Sequence, residues 1–574
     1  SFLNLKNFDS AIKYFNHCVK LKNDYSPALN NLGLAHVSKG DIEVGIKYFQ
    51  KALNIDKNNQ EAYLNLGNAY FSLKKFEKAQ KTFNLLLKIN PYCGNAYNNI
   101  GNIYQELKDF DGAEKQYKKS LSLNEKNPHA YNNLCVLNNI NGKYNEAVKN
   151  GLKAIELDKN YYEAYGNIGN SYQKKKDYER AEFYFFKVIE LNKNNFGVYN
   201  NLGNNYKFKN NYKLAIEYFL KSIKLNPNYA EAYANMGTCL TEVGKNEDAI
   251  KCYKKAMSLD PNYHESFYNL SLLQLHLNSF KEGWSNFSRR WHVKDFPSEK
   301  QDYKIPSFNF SSHKSVLVWP EQGIGDQILF SRFFNNLHNS DIKIYSSIDK
   351  KLLPLFRASF PFIDFVSSGD KLTTQSQSSI GGLGKFFINS KEDLKNNSSA
   401  YLSVNKDKSS SLKAQFPKGK KVCGLSWLSK NDDLGEHKSL SLKKLEKLLK
   451  LKDITFVDLQ YGDTSKERQS FYKKYGINLI KIKEIDNYDD IEGLAALIDA
   501  CDFVVTVSNT TAHIAGAIGK KTYLMLPKGK GKLWYWSKEN DQSLWYKSIK
   551  IMEQKEIGQW NEVIDELCAQ KFVV

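Results

Sequence analysis

A chain of 574 residues with 41% hydrophobic and 14% aromatic residues is too long for one core and too apolar to be wholly disordered. Its formal charge of +20 would suit nucleic acid, but the lysines are spread along the sequence instead of forming one basic stripe. Phosphate-bearing small molecules and acidic partners fit the charge equally well. We therefore predict a globular protein of several domains that does not bind nucleic acid.

The eight cysteines include no Cys-x-x-Cys pair. Several lie within predicted helices, where a buried thiol behaves as a small apolar side chain, and this pattern favours a reducing compartment. No apolar run is long enough to cross a bilayer, and no signal peptide is recognisable. We therefore expect a cytoplasmic protein without a transmembrane segment. Because the first residue is not methionine and Ala11 already falls inside a predicted helix, we expect a truncated N-terminus.

Small residues recur every 34 residues through the first half of the chain, up to about Trp291. A strict period of this length is typical of stacked helical hairpins, because each hairpin can bury its apolar face only against its neighbours. Apolar residues at three- and four-residue spacing predict two amphipathic helices in each unit. Small residues let the paired helices approach closely. The series consists of Gly33, Gly67, Gly101, Gly169, Gly203 and Gly237, with Cys135 and Ser271 at the two remaining positions.

These units resemble the tetratricopeptide repeat (TPR) family. The resemblance implies an α-solenoid, a TPR superhelix, over residues 1–297, with a partial repeat at 1–25 followed by eight repeats. At the end of the last unit, Trp284, Arg290 and Trp291 predict a cap that packs against the next domain. Residues 298–312 are predicted to form a linker.

A series of asparagines shares the 34-residue period, and its phase places it on the first helix of each unit. In the TPR family the first helices line the concave groove, and an amide can hydrogen-bond a peptide backbone whatever its side chains. Because this half resembles the repeats of eukaryotic O-GlcNAc transferases, we expect the asparagines to hold a protein or peptide acceptor. A purely structural role is the alternative. The series is Asn31, Asn65, Asn99, Asn133, Asn167, Asn201, Asn235 and Asn269.

After residue 312, short apolar runs alternate with amphipathic segments, which predicts parallel β-sheets. The length suits two Rossmann-like domains, which we place at residues 313–415 and 416–574. Residues 366–400, rich in Ser, Asn and Gly, are expected to be loops. The predicted strands are 316–319, 342–345, 422–427, 454–459, 503–507 and 522–526.

The first chemical motif, Gly323-Ile-Gly325-Asp326, directly follows the first of these strands. Glycines there let the backbone turn tightly and approach a ligand at the carboxyl edge of the sheet. Asp326 would lie at the mouth of a cleft, near a helix N-terminus. It is a candidate general base, and a simple helix cap is the alternative.

The second motif follows the strand at 503–507, where a hydroxyl-rich turn leads into a helix of small residues that begins near Thr510. Free N–H groups and the helix dipole at such a terminus form an anion site, to which hydroxyl groups add donors. The alternative is an ordinary capped helix with a histidine buried in the core. The candidate residues are Ser508, Asn509, Thr510, Thr511 and His513.

Three further features are candidates for the same cleft. Lys438 lies on a basic loop after the strand at 422–427, and Gln460 ends the strand at 454–459. Residues 528–532 form a Lys- and Gly-rich loop suited to a diphosphate, although such loops are commonly just exposed. No His/Cys cluster has zinc spacing, and the Asp-x-Asp motif at residues 109–111 lies in a repeat turn, so we predict no metal site.

The two motifs together resemble those of heptosyltransferase-like glycosyltransferases of GT-B fold, over most of residues 313–560. The resemblance implies a catalytic aspartate at the position of Asp326. It also implies a donor site that includes Gly325, Lys438 and the loop before His513. In that family an aspartate lies five residues before the histidine, where this chain has Ser508. The joined repeats resemble bacterial TPR-bearing transferases similar to flagellin glycosyltransferases.

The sequence thus predicts an enzyme that transfers a sugar from a nucleotide-sugar co-substrate to a polypeptide, without a metal or other cofactor and with inversion. Residues 313–415 would form the acceptor side and residues 416–574 the donor-nucleotide side. Two alternatives remain open. The first is a catalytically inactive TPR scaffold for protein partners. The second is the same class of enzyme acting on a saccharide acceptor.

Overall fold

The computed structural model describes residues 7–294, 296–367, 374–431, 434–570 and 572. The chain divides into two compact units, Ser1–Pro227 (unit 1) and Asn228–Val574 (unit 2). Residues 1–6 of the predicted partial repeat lie outside the described residues. No helix in the described ranges combines the length and apolar character needed to traverse a bilayer.

Unit 1 is a stack of helical hairpins. The first helices of successive repeats contact one another, from α2 and α4 through to α10 and α12, so they line one face of the stack. This arrangement confirms the predicted TPR α-solenoid. The helices are α1 (Phe8–Leu21), α2 (Ser26–Lys39), α3 (Ile42–Ile55), α4 (Gln60–Ser72), α5 (Phe76–Ile89), α6 (Gly94–Glu106), α7 (Phe110–Leu123), α8 (Pro128–Ile140), α9 (Tyr144–Leu157), α10 (Tyr162–Lys174), α11 (Tyr178–Leu191), α12 (Phe196–Phe208) and α13 (Tyr212–Leu225).

The periodic glycines each lie under an aromatic ring of the second helix, sixteen residues further on. A Cβ atom at Gly169 would come within 2.5 Å of the Phe185 ring. Gly203 faces Phe219 in the same way. At Cys135 the sizes are reversed, because the residue sixteen positions later is Gly151, where an added Cβ would lie 3.3 Å from the Cys135 sulfur. The hairpin therefore needs one small residue in each facing pair, and either helix can supply it.

Gly169→Ala is expected to destabilise the array by about 1–3 kcal/mol, because the added methyl group overpacks the contact with Phe185. Gly166→Ala, on the same helix, is the matched control. Its Cβ would meet only Val188, at 3.8 Å, and removing a helical glycine gains up to about 1 kcal/mol. Thermal unfolding followed by circular dichroism measures both. Equal stability of the two variants would contradict the packing argument.

Unit 2 begins with two further hairpins and continues into an α/β region. Its helices are α14 (Ala230–Glu242), α15 (Asn246–Leu259), α16 (His264–His276), α17 (Phe280–Phe287), α18 (Ile324–Ser331), α19 (Phe333–His338), α20 (Leu353–Ser359), α21 (Gly384–Phe387), α22 (Lys391–Asn396), α23 (Lys406–Ala414), α24 (Gly435–Lys438), α25 (Glu446–Leu449), α26 (Ser465–Tyr475), α27 (Ile491–Ala500), α28 (Thr510–Ala517) and α29 (Asn561–Ala569), with 3-10 turns at Ser288–His292, Lys350–Leu352 and Gly381–Leu383. Its strands are β1 (Ser315–Trp319), β2 (Lys343–Ser346), β3 (Ile363–Phe365), β4 (Gln377–Ser379), β5 (Lys421–Ser426), β6 (Ile454–Asp458), β7 (Phe503–Val507), β8 (Thr522–Leu526), β9 (Lys538–Glu539), β10 (Gln542–Ser543) and β11 (Ile549–Glu553).

These strands form two sheets. The first has the order β3-β2-β1-β4, with every neighbouring pair parallel. The second has the order β6-β5-β7-β8-β11-β10-β9 and is parallel from β6 to β11, with antiparallel pairing at the β10 and β9 edge. Helices follow β1, β2, β4, β5, β6 and β7, so the region is α/β as the sequence predicts. All six predicted strands are present, within one residue at each end.

The prediction of loops at residues 366–400 is wrong for part of that segment. Residues 368–373 lie outside the described residues, but Gln377–Ser379 forms β4 beside β1, and α22 follows. A strand of polar residues carries no hydrophobic pattern, so its pairing depends on the open edge of β1. The segment predicted as a linker also contacts this sheet, because the N–H of Phe308 donates to the carbonyl of Gln377 at 2.8 Å.

The cap predicted at the end of the repeats is confirmed within unit 2. The indole N–H of Trp284 donates to the carbonyl of Ile388 at 2.8 Å, and the Trp284 ring lies directly against Gly384. Only a residue without a side chain fits there, since a Cβ at Gly384 would come within 2.4 Å of the indole. The last hairpin and the first sheet therefore share one core.

Candidate functional site

The two sequence motifs meet in unit 2, where the helices after β1 and β7 begin. Helix α18 follows β1 and helix α28 follows β7, and the two helices pack against each other. A Cβ atom at Gly325 would lie 2.9 Å from Cδ2 of His513. Glycine is therefore required at this position so that the two helices can touch. The two motifs therefore lie beside each other, as expected for residues that share one cleft.

Asp326 is partly buried in the first turn of α18, where its Oδ2 accepts the backbone N–H of Gly323 at 3.3 Å. Burial raises the pKa of this carboxyl to about 6, against the lowering effect of the Gly323 N–H. The charge of Glu321 raises the pKa further, whereas Lys438 lowers it. A carboxylate that titrates near neutrality is suited to take up and return a proton.

Lys438 ends α24, and only 3% of its surface is exposed. Burial lowers the pKa of its ammonium group to about 8, and Asp326 acts in the opposite direction. Among the described residues, its ammonium group has no hydrogen-bond or ion-pair partner. A buried cation is costly unless it is paired, so this position favours an anionic ligand.

The first turn of α28 is a second group of donors. Oδ1 of Asn509 caps the helix by accepting the N–H of Ala512 at 3.3 Å, while its Nδ2 donates to Oγ of Ser426 at 2.8 Å. Thr510 is partly buried, and the buried hydroxyl of Thr511 has no partner in the described residues. The N–H groups at this end of the helix and its dipole favour negative charge.

His513 and Ser508 are both directed into an aromatic core. Nδ1 of His513 lies 2.9 Å from the hydroxyl of Tyr546, and its ring stacks on Trp536 with 5.0 Å between centroids. Burial lowers the pKa of His513 to about 3, with Arg332 and Lys438 acting in the same direction, so the imidazole is neutral at pH 7. Oγ of Ser508 accepts the indole N–H of Trp536 at 2.9 Å.

Gln460 is fully buried and organises the loop that leads to Lys438. Its Oε1 accepts the hydroxyl of Ser426 and the N–H groups of Trp427 and Leu428, at 2.8 to 3.0 Å. Its contact with a nucleotide stays a prediction. A groove of about 480 Å³ lies at this edge of the second sheet, and it is lined by Lys430, Gln460, Gly462, Asp463, Lys481, Lys483, Ile485, Asp486, Asn487 and Tyr488.

The Lys- and Gly-rich loop after β8 reaches the same region. Gly529 and Gly531 have φ angles of +72° and +102°, which favour glycine, and a Cβ at Gly531 would lie 3.3 Å from Cγ of Lys438. Lys530 adds to the effect of burial in lowering the pKa of His437. The loop thus adds positive charge beside Lys438, and its contact with a diphosphate stays a prediction.

Glu321, Tyr268 and Tyr535, which lie beside Asp326, were missed by the sequence analysis, and Arg290 was assigned only to the cap. Arg290 binds the carboxylate of Glu321 with two N–H groups, at 2.7 and 3.0 Å, and both side chains are at most 2% exposed. Burial raises the pKa of Tyr268 to about 12, and the charges of Asp326 and Glu321 add to this effect. Burial also raises the pKa of Tyr535, and the charge of Asp326 acts in the same direction. The contacts join distant parts of the chain, so no local pattern indicates them.

The asparagine series forms hydrogen bonds between repeats. Nδ2 of Asn133 donates to Oδ1 of Asn98 and Asn102, at 3.0 and 2.8 Å. Each donor thus reaches an amide of the preceding repeat, which supports a structural role beside the predicted binding role. All eight members are partly buried. The other donor and acceptor pairs are Asn65 to Asn30, Asn99 to Asn68, Asn167 to Asn132 and Asn201 to Asn170.

The described residues contain no group of three or more His, Cys, Asp or Glu side chains that is arranged to hold a metal ion. The site itself offers a carboxyl group with a pKa near 6, a buried ammonium group and the N–H groups of a helix terminus.

Comparison with protein families identifies tetratricopeptide repeats at residues 94–127, 162–195 and 230–263, at 36–100, and at 1–25 and 196–229. These segments are TPR repeats. Protein FlbA of Caulobacter vibrioides is 24% identical over 320 residues, which cover 50% of this chain and 51% of that protein. The chain thus spans about half the length of this curated relative.

Several solved TPR structures are similar to the chain. YrrB, described as a TPR protein with an unusual peptide-binding site, is 24% identical with a TM-score of 0.27, covering 32% of this chain and 95% of that one. Pseudomonas aeruginosa pilF is 23% identical with a TM-score of 0.33, covering 37% and 96%. MamA is 28% identical with a TM-score of 0.26, covering 30% and 93%.

Proposed function

We propose that the α/β part of unit 2 is a glycosyltransferase that acts on a protein acceptor, while the TPR array is its scaffold for protein partners. The scaffold follows from the repeats themselves. The catalytic proposal is carried by one observation: Asp326 and the partnerless Lys438 are electrostatically coupled beside the first turns of α18 and α28. A general base and a group of anion donors are the two elements that such a transfer requires.

In the proposed reaction, Asp326 accepts the proton of the acceptor hydroxyl as its oxygen attacks the anomeric carbon of the sugar. The bond between that carbon and the diphosphate oxygen breaks, and the electron pair leaves with the nucleoside diphosphate. Lys438 and the N–H groups at the start of α28 stabilise the charge that develops on the leaving group. A single displacement of this kind inverts the anomeric configuration. No metal ion is required in this scheme.

The other residues near the first turn of α28 are assigned to the nucleotide-sugar donor. The lysine-rich loop at 528–532 and Thr510 would contact the diphosphate, and the groove beside Gln460 would take the nucleotide. The neutral His513 would offer Nε2, its free ring nitrogen, to the donor, and its ring would position Gly325. These assignments and the GT-B fold are proposals. Their support is that α18 and α28 meet at the carboxyl ends of β1 and β7.

The proposed acceptor is a polypeptide held by the asparagine series. Each Nδ2 from Asn65 to Asn201 already donates to the preceding repeat. The amide oxygens would then accept N–H groups of an extended backbone. The last two members, Asn235 and Asn269, belong to the unit that carries Asp326.

The rate of transfer is expected to show a bell-shaped dependence on pH. Asp326 must be ionised to act as a base, so kcat/KM should rise as pH increases through about 6. Lys438 must be protonated to bind the diphosphate, so kcat/KM should fall as pH increases through about 8. Initial rates at subsaturating donor from pH 4 to 10 measure both limbs. A flat profile between pH 5 and 9 would contradict the assignment of these two groups.

A catalytically inactive scaffold is the competing function, and Ser508 favours it, because the resembling family has an acid at this position. Isothermal titration calorimetry separates the two functions. A panel of UDP-, GDP-, ADP- and dTDP-sugars should contain a ligand if the chain is a transferase. A second titration with Lys438→Met should then show weaker binding of the same ligand. Absence of binding across the panel would support the scaffold and reject the enzyme.

A further inference from the structure

Tyr535 is a nearly buried tyrosine that no motif of the sequence identifies. It follows the loop at 528–532, between Trp534 and Trp536, and only 5% of its surface is exposed. Its ring meets that of His513 at an angle of 66°, with 5.2 Å between centroids. Within the described ranges of the chain, its hydroxyl forms no hydrogen bond.

The charge of Asp326 acts on the Tyr535 hydroxyl, in agreement with the His513 ring lying against both Tyr535 and Gly325. Burial raises the pKa of Tyr535 well above its ordinary value, and the charge of Asp326 and the neighbouring Tyr268 act in the same direction. Lys438 and Glu321 are the other charged groups that influence Asp326 at this site, while His513 is neutral. The phenol therefore stays protonated at physiological pH and serves as a hydrogen-bond donor rather than as a base.

The position of the ring restricts what this donor can reach. One side of Tyr535 packs against His513, on the helix whose first turn is assigned to the diphosphate. The same His513 ring lies against Gly325, the residue before Asp326, and Asp326 is assigned to the acceptor oxygen. In a transfer reaction the sugar lies between these two groups, because its anomeric carbon is bonded first to the diphosphate and then to the acceptor.

We propose that the hydroxyl of Tyr535 donates a hydrogen bond to a hydroxyl oxygen of the transferred sugar. This inference rests on the proposed function and deepens it, since it assigns a residue to the sugar moiety of the donor. The hydroxyl has no hydrogen-bond partner in the described part of the chain, and a sugar oxygen would accept its hydrogen bond. A neutral donor also suits a neutral sugar hydroxyl, whereas the lysines suit the diphosphate. Tyr535 would thus contribute to the choice of sugar.

Tyr535→Phe tests the proposal, because it removes only the hydroxyl and keeps the ring against His513. The affinity for the nucleotide sugar that binds the wild type should fall about 3- to 10-fold, the size expected for one neutral hydrogen bond. The affinity for the matching nucleoside diphosphate should not change, because that ligand lacks the sugar. Calorimetry of both ligands on both proteins gives the comparison. Unchanged diphosphate binding also shows that the variant is folded.

The matched control is Tyr523→Phe. Tyr523 is a buried tyrosine on β8 that packs against Phe503 in the core on the opposite face of the second sheet, and its replacement should leave both affinities at the wild-type value. Wild-type affinity of Tyr535→Phe for the nucleotide sugar would overturn the inference. Equal weakening for both ligands would also overturn it, because the contact would then not be with the sugar. If no nucleotide sugar binds the wild type, the proposed function fails first and the inference falls with it.

Discussion

Asp326→Asn is expected to lower kcat of sugar transfer by about 10²- to 10⁴-fold, the contribution typical of a general base. Asparagine keeps an oxygen that can accept the N–H of Gly323, so the first turn of α18 should be retained. Affinity for the nucleotide sugar should stay close to that of the wild type, because the amide contacts the acceptor side. Steady-state kinetics with saturating donor, together with calorimetry of donor binding, measure the two effects separately.

Asp393→Asn provides the control for the structural role of such an aspartate. Asp393 occupies the same third position in α22, where its Oδ2 accepts the N–H groups of Asn389 and Ser390 at 3.0 Å. It caps its helix as Asp326 does, but its charge is not among those that shift the pKa of Lys438. Its replacement should leave kcat unchanged. Near-normal turnover of Asp326→Asn would show that Asp326 is a cap and would remove the general base from the proposed mechanism.

Arg290→Met is expected to destabilise unit 2 by about 3–5 kcal/mol, because it leaves the buried Glu321 carboxylate without its partner. The two N–H···O contacts of 2.7 and 3.0 Å are lost, together with a third to the hydroxyl of Ser379 at 2.9 Å. Urea unfolding of the full chain followed by tryptophan fluorescence measures the change, since Trp284 and Trp319 are buried in the same unit.

Two comparisons distinguish the loss of this ion pair from a general effect of removing charge. Arg290→Met combined with Glu321→Leu removes both charges, and it should recover most of the lost free energy of unfolding. Lys447→Met breaks the pair of Lys447 and Asp565, whose side chains are 64% and 58% exposed, and should cost less than about 1 kcal/mol. A similar cost for Arg290→Met and Lys447→Met would contradict the interpretation of the buried pair.

The sequence predicted the features that depend on local pattern. The 34-residue period predicts the solenoid because each hairpin buries its apolar face in the same way against its neighbours. The strands at 503–507 and 522–526 were found at their full length, because a parallel strand buried on both faces is a continuous apolar run. Strand β4 was missed because its three residues are polar and its place is set by its neighbour β1.

The candidate site was predicted only in part. Asp326 and His513 each follow a parallel strand at the carboxyl edge of its own sheet, and the sequence predicted two domains facing one cleft, so their helices were expected to lie at that cleft. The roles of Gln460 and Asn509 as organisers of a loop depend on three-dimensional hydrogen bonds that no spacing indicates. The proximity of Tyr535 to Asp326, which are far apart in the chain, is likewise a product of packing.

The junction at Arg290 also determines how the protein can be divided for biochemical work. A fragment starting at residue 313 would discard Arg290 and Trp284, exposing the Glu321 carboxylate and the apolar surface around Gly384. A fragment starting at Asn228 would keep both, because the unit boundary lies before the last two hairpins. A fragment with the proposed chemistry therefore needs at least the last hairpin, which forms an integral wall of the α/β region.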